Sequence, residues 1–188
     1  MRFFFLFVAV CSLLDCRNQA RTAENADVPQ VQHLANYRER QAFLEAINKR
    51  DAAVRSAVSA YDPRLSKNTP EYAALERKLQ STDEENRRLI EDYLSIYSYP
   101  DIDSVGVTAA LTPWLILHHY FHVATKMKYV SMMAKAWKDG NISANDYYLF
   151  LNGIYKLTSE TELSFKPEDR DEDKIRILLD SLGIDIQI

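Results

Sequence analysis

Cysteine is nearly absent from this chain of 188 residues, and its only two cysteines, Cys11 and Cys16, lie close to the N-terminus. The remainder of the chain therefore has no pair of thiols for an internal disulfide. It also has no thiolates that could form a structural zinc site. A small disulfide-rich scaffold and a cysteine-based zinc domain are both excluded.

Glycine and proline are also scarce, with four glycines and six prolines in the whole chain. This scarcity argues against a disordered protein and against a β-sandwich built on many tight turns. The formal net charge is −4 and no basic stripe is present, so nucleic acid is not an expected partner. The length is sufficient for one domain with its own core.

The N-terminal residues form a short apolar run behind a single positive charge, Arg2. The run holds about a dozen apolar residues, whereas a bilayer span needs about 20, so it predicts a secretory signal. It ends at Cys16, which resembles a bacterial lipoprotein signal in which Cys16 becomes the acylated first residue. Asp15 departs from the small residue preferred before that cysteine. The alternative is ordinary cleavage near Ala20 without a lipid.

These features divide the chain into three parts: a lipoprotein-type signal peptide over 1–16, a polar tether over 17–30 and a single helical domain over 31–188. The expected location is the cell envelope, with the protein lipid-anchored in a bacterial membrane. If cleavage occurs without lipidation, the protein is instead soluble in the periplasm or secreted.

Apolar residues recur at helical spacing along most of the domain. The first stripe ends before Pro63, and Thr69-Pro70 opens a short helix over residues 71–80. A capping box, residues 82–85, predicts the start of a separate helix that ends at Tyr99-Pro100.

The most apolar segment of the domain, residues 105–123, is predicted as one helix kinked at Pro113, with a fresh start capped by Thr112 as the alternative. Three more helices follow. The first stops at Gly140, the second is capped by Ser143, and the last begins near Pro167 and stops at Gly183. The predicted fold is all-α, an orthogonal multi-helix bundle of about six helices.

Three stretches of this domain, "NRRLIEDYLSIYSYP", "VGVTAALTPWLILHHY" and "DGNISANDYYLFLNGI", resemble the bacterial domain of unknown function 6624. The resemblance covers roughly residues 35–159 and implies a helical fold. The positions that match the polar and aromatic motif of the family are Asp51, Arg55, Asn86, Trp114 and His119.

Several polar positions of the family pattern are changed in this chain. Ala52 and His118 each replace a glutamine, an Asp-Arg pair has become Asn152-Gly153, and the terminal Gly-Thr-Gln is absent. The family has no assigned activity. If these groups form a site in other members, the resemblance implies that the site is altered here.

Three of the four histidines, His118, His119 and His122, lie within five positions. If they lie on one helix, His118 and His122 are four residues apart and share a face, a spacing that can hold zinc. However, the position of the catalytic glutamate of zincins is occupied by His119, and no third ligand is identifiable, so no metal is predicted. The expected role of His119 is structural hydrogen bonding, with Asp51 as its first candidate partner, and acid–base catalysis is the alternative.

The predicted function is that of a non-catalytic binding or interaction module of the cell envelope. Its partners are the membrane, reached through the lipid anchor, and an envelope protein or a small-molecule ligand; no cofactor is expected. The catalytic alternative is a periplasmic hydrolase that uses His119 with a carboxylate such as Asp51, assisted by Arg55. In the binding reading, the candidate ligand-contacting residues are His118, His122, Asn86 and Trp114. A third reading is a structural or antitoxin-like partner of another protein.

Overall fold

The computed structural model describes residues 31–61, 69–159, 172–181 and 183. A 3-10 turn, Val31–His33, precedes seven α-helices and no strand occurs in these ranges, so the predicted all-α bundle is confirmed. The signal peptide, the tether and Pro167 lie outside the described residues. The helices are α1 (Tyr37–Ser59), α2 (Pro70–Tyr97), α3 (Ile102–Val105), α4 (Val107–His119), α5 (Val123–Lys138), α6 (Ala144–Ser159) and α7 (Glu172–Ser181).

Helices α1, α2 and α4 form the centre of the bundle. The most extensive helix pairings are those of α1 with α4 and with α2, and α2 also packs on α4. Ala109 and Ala110 of α4 are completely buried, and such small side chains allow close approach of the helix axes. The apolar residues that α1 and α2 bury in this core include Phe43, Leu44, Ile47, Leu89, Ile90 and Tyr93.

Helices α5 and α6 form a second pair, and α6 also contacts α4 and α7. The Trp137 and Tyr147 rings stack across this pair, with centroids 5.4 Å apart and planes 12° apart. The stops predicted at Gly140 and Gly183 are confirmed, because both glycines have a positive φ. The predicted Ser143 cap is also present, since its Oγ accepts a hydrogen bond from the backbone N–H of Asp146.

The predicted break between a short helix and a second helix after Gln80 is wrong, because α2 runs without interruption from Pro70 to Tyr97. Its start is as expected, with Thr69 accepting a hydrogen bond from the backbone of Tyr72. Asp83 and Glu84, which were assigned to a capping box, instead bind the side chains of Arg55 in α1 and of Tyr120 after α4. When a capping pattern lies inside a helix, its residues are only part of the polar face of that helix.

The single kinked helix predicted over residues 105–123 is also wrong. A one-turn helix, α3, ends at Gly106, whose φ is +81°, and α4 then runs through Pro113 to His119. Thr112 does not open a new helix; its hydroxyl donates to the carbonyl of Thr108 within α4. The second break in the segment is therefore at Tyr120, not at the proline.

Lys126 of α5 stabilises the C-terminal end of α4. Its side chain is completely buried, and Nζ donates to the carbonyls of Leu117 at 2.9 Å and His118 at 2.7 Å. The last carbonyls of a helix have no partner within the helix, and a cation is favoured at that end. Gly153 of α6 leaves space for the ammonium, since a Cβ there would lie 3.4 Å from Nζ. Burial lowers the pKa of Lys126 to about 8.

Replacing Lys126 by methionine is expected to reduce the free energy of unfolding by about 1–3 kcal/mol, because two buried carbonyls lose their donor. Methionine avoids the desolvation of the ammonium, which keeps the loss at this modest level. The measurement is urea unfolding at neutral pH. The matched control is Lys128→Met, whose side chain is 63% exposed and which should change stability by less than about 0.5 kcal/mol. Equal stability of the two variants would show that Lys126 is not a cap.

Candidate functional site

A buried carboxylate, Asp51 of α1, lies where α1, α2 and α4 meet, with only 2% of its side chain exposed. Arg55, one turn later on the same helix, directs Nε to both carboxylate oxygens, at 3.1 and 3.0 Å. Burying a carboxylate is unfavourable unless it is paired and hydrogen-bonded. Arg55 therefore supplies the compensation that lets α1 present Asp51 to the interior.

His119, the last residue of α4, approaches the same carboxylate from the other side. Its Nδ1 lies 3.2 Å from Oδ2 of Asp51, the residue named from the sequence as its first candidate partner. Among the described residues Nδ1 has no partner in hydrogen-bond geometry, so this approach is a close polar contact without an aligned hydrogen bond. The imidazole side chain is 26% exposed, so one part of the ring faces the carboxylate and another reaches solvent.

Asp83 of α2 completes the group. Nη2 of Arg55 lies 2.6 Å from Oδ1 of Asp83, so the guanidinium connects carboxylates on two helices. Asp51, Arg55, Asp83 and His119 are called the junction cluster below. Asp83 was not predicted as a site residue, because its position fits a helix-capping pattern. The usable signal in the sequence was a carboxylate close to the apolar positions of a predicted helix.

The two carboxylates of the junction cluster have opposite pKa shifts. Burial alone would raise the pKa of Asp51, but His119 and Arg55 outweigh it and the pKa lies below its ordinary value. Burial raises the pKa of Asp83, with Arg55 opposing the shift and Asp51 adding to it. Asp51 is therefore the carboxylate of the cluster that is harder to protonate, and it faces His119 directly.

A second polar group holds the residue after His119 in place. The hydroxyl of Tyr120 donates to Glu84 at 3.0 Å, and the Arg87 guanidinium lies 5.0 Å from the centroid of the Tyr120 ring. Arg87 also binds Glu84 and Glu91 on its own helix. The α4–α5 connection is thus attached to α2, which positions His119 at the junction.

His118 lies in a dry environment next to Trp114. Its ring stacks on Trp114, with centroids 5.2 Å apart, and its Nδ1 is buried without a hydrogen-bond partner among the described residues. Burial, with a smaller contribution from Lys126, lowers the pKa of His118 to about 4. The ring is therefore neutral over the physiological range.

The zinc alternative required His118 and His122 to share one helical face, and the structure contradicts this. His118 lies in the last turn of α4, whereas His122 is an exposed N-cap of α5 that accepts a hydrogen bond from the backbone of Thr125. Across the described ranges, no group of three histidine, cysteine, aspartate or glutamate side chains converges to hold a metal ion.

Asn86 and Trp114, two candidate ligand-contacting residues, are engaged inside the fold. The side-chain oxygen of Asn86 accepts from Arg50 at 2.8 and 2.5 Å, and the indole N–H of Trp114 donates to the carbonyl of Asp146 at 2.8 Å. Asn86 is completely buried. Among the described residues, neither side chain forms a hydrogen bond with the junction cluster, so the structure brings together Asp51, Arg55 and His119 but not all of the motif positions.

No protein-family model matches the chain, and no match was found among curated proteins or among solved structures. The resemblance to domain 6624 therefore stays a prediction. Over the residues that the structure describes, no helix has both the length and the apolar character that crossing a membrane requires.

Replacing Asp51 by asparagine is expected to reduce the free energy of unfolding by about 2–4 kcal/mol, because Arg55 loses a buried counter-ion. Chemical denaturation at neutral pH measures the loss. The matched control is Asp92→Asn, since Asp92 pairs with Arg88 on an exposed face of α2. This control should change the free energy of unfolding by less than about 0.5 kcal/mol. If Asp51→Asn leaves stability unchanged, the junction cluster does not hold the helices together.

The depressed pKa of His118 gives a pH prediction. The folded protein favours the neutral ring, so stability from this group is present above pH 6.5 and is lost as the pH falls towards 4. His118→Gln should therefore show a shallower fall in unfolding free energy over this range than the wild type. Urea titrations at several pH values measure the slopes, with His33→Gln, at an exposed position, as the control. Identical slopes in wild type and His118→Gln would contradict the prediction.

Proposed function

We propose that the protein is an exported, non-catalytic binding or interaction module of the bacterial cell envelope, held at a membrane by a lipid on Cys16. The observation that supports the non-catalytic part is the arrangement of the junction cluster. Arg55 occupies both oxygens of Asp51, and the same guanidinium binds Asp83 of α2. These groups connect three helices, which is the arrangement of a structural network.

Catalysis by His119 would need a reacting group within hydrogen-bond reach of the imidazole. In the part of the chain that the structure describes, no hydroxyl or thiol makes a hydrogen bond to His119; its close polar neighbour is the Asp51 carboxylate. The ring contacts of His119 are with His118, at 5.9 Å between centroids. This environment favours a structural role for His119, in packing and in the polar contact with Asp51.

The envelope location is supported by the N-terminal pattern of a short apolar run, Cys16 and a polar segment over 17–30. A chain of 14 residues spans at most about 50 Å when fully extended. A domain attached through such a tether would stay close to the membrane surface, where an envelope protein or a small molecule can be bound.

A periplasmic hydrolase is the second candidate, and one specific observation favours it. Nδ1 of His119 faces a buried carboxylate at 3.2 Å while 26% of the side chain is exposed. An aspartate in this position can orient an imidazole and stabilise its protonated form during acid–base catalysis. The two candidates differ in the expected effect of Asp51→Asn: a structural network loses stability, whereas a catalytic pair loses turnover with the fold intact.

Changing Cys16 to serine is expected to abolish labelling by a fatty-acid analogue and to release the protein from the membrane fraction. The physical reason is that the acyl chains on this cysteine supply the membrane affinity. Metabolic labelling and cell fractionation measure both effects, and Cys11→Ser is the control within the same apolar run. Wild-type protein that is unlabelled and soluble in the cytoplasm would contradict the export and anchoring proposal.

A further inference from the structure

Arg40 in the first turns of α1 lies among aromatic rings. Its guanidinium carbon is 4.2 Å from the centroid of the Tyr97 ring and 5.3 Å from that of Tyr37. The Tyr97 hydroxyl in turn donates to the carbonyl of Val31 at 2.9 Å. The arginine therefore lies at the place where the described domain begins, next to the end of the predicted tether.

Among the described residues, the guanidinium of Arg40 has no anionic partner. Its Nε is buried and makes no hydrogen bond, and no carboxylate of the described residues forms an ion pair with it. The adjacent acid, Glu39, is already engaged: its two oxygens accept from the backbone of Ala35 at 2.7 Å and the side chain of Asn36 at 2.8 Å. A buried donor without an acceptor is unfavourable, and an oxygen atom of a ligand at this edge would satisfy it.

The stacked rings also determine which part of the guanidinium is available. Aromatic faces interact with the flat face of an arginine, and this leaves its N–H edge for an acceptor. That edge presents parallel N–H groups, which match two oxygens of one phosphate or carboxylate. Tyr37 itself is 59% exposed, so this ring lies at the protein surface.

We propose that Arg40, held by Tyr37 and Tyr97, binds an oxyanion of the phosphate class. A phosphate dianion gains about twice as much from the Arg40 charge as a carboxylate does, which favours phosphate. Arg38, two residues earlier and exposed, projects from another side of α1. The proposal deepens the binding-module function, and it rests on that function only for one of two sources of the phosphate, a lipid headgroup at the base of the tether. The other source is a soluble phosphate compound.

The direct test follows the side-chain Nε–H resonance of Arg40 in the ¹⁵N-labelled full chain, kept in a maltoside detergent that contains no phosphate. The resonance is assigned by its loss in Arg40→Lys. Inorganic phosphate, titrated at constant ionic strength, is expected to shift this signal saturably. No shift, or a shift as large with acetate as with phosphate, would overturn the proposal.

The matched variants are Arg40→Lys and Arg38→Lys, which both keep the net charge. Arg40→Lys retains a cation next to the tyrosines but loses the planar fork, so its affinity for phosphate should fall at least about tenfold. Arg38→Lys should change the affinity by less than about twofold. The readout is the rise in melting temperature with phosphate, and circular dichroism confirms that both variants are folded. Equal affinities of the two variants would overturn the assignment to Arg40.

The source is distinguished by doping the micelles with phosphatidylglycerol or with diacylglycerol, which lacks the phosphate. A shift of the Arg40 signal with phosphatidylglycerol alone, in competition with inorganic phosphate, supports the site and assigns it to a lipid headgroup. A response to inorganic phosphate but not to phosphatidylglycerol supports the site and assigns it to a soluble ligand. Because fractionation of Cys16→Ser does not involve Arg40, failure of the anchoring proposal and failure of the oxyanion site remain distinguishable.

Discussion

The buried carboxylate of Asp51 is the constraint on which the arrangement of the three central helices depends. A charge in an apolar interior must be paired, and the pairing has to come from groups whose positions are themselves fixed. Arg55 provides it from the same helix, His119 from the end of α4, and Asp83 holds the arginine from α2. A shift of any one of these helices along its axis would separate the charges, so the network determines their register.

The position of His119 depends in turn on where α4 ends, and that end depends on a second buried charge. Lys126 satisfies the carbonyls of Leu117 and His118, and Gly153 leaves the space that its ammonium occupies. The hydrogen bond from Tyr120 to Glu84 then holds the connection between α4 and α5 against α2. Asp51 and Lys126, two buried side chains of opposite charge, thus position the imidazole of His119.

The junction cluster and the Arg40 group lie on one helix but are separate. Arg40 and Asp51 are 11 positions apart, which corresponds to about 16 Å along a helix axis. At Asp51 the charges are paired and most of the polar capacity is satisfied within the protein. At Arg40 the donor is unpaired and the group faces the region where the chain enters the domain. Because of this contrast, we propose a binding role for Arg40 and a structural role for the junction cluster.

From the sequence alone, helical periodicity and local stop signals predicted the all-α class, the ends at Gly140 and Gly183 and the Ser143 cap. Such signals are local, because propensity, capping and left-handed turns act within a few residues.

The continuity of α2, the end of α4 and the burial of Lys126 were decided only by tertiary structure. Asp83 and Glu84 look like capping residues until Arg55 and Tyr120 are placed against them. Lys126 is in register with the apolar residues Tyr129, Val130 and Met133 of α5, yet only the carbonyls of another helix explain why a lysine is there. Contacts between residues distant in sequence are absent from any local pattern, and they determine which polar residues end a helix and which join two helices.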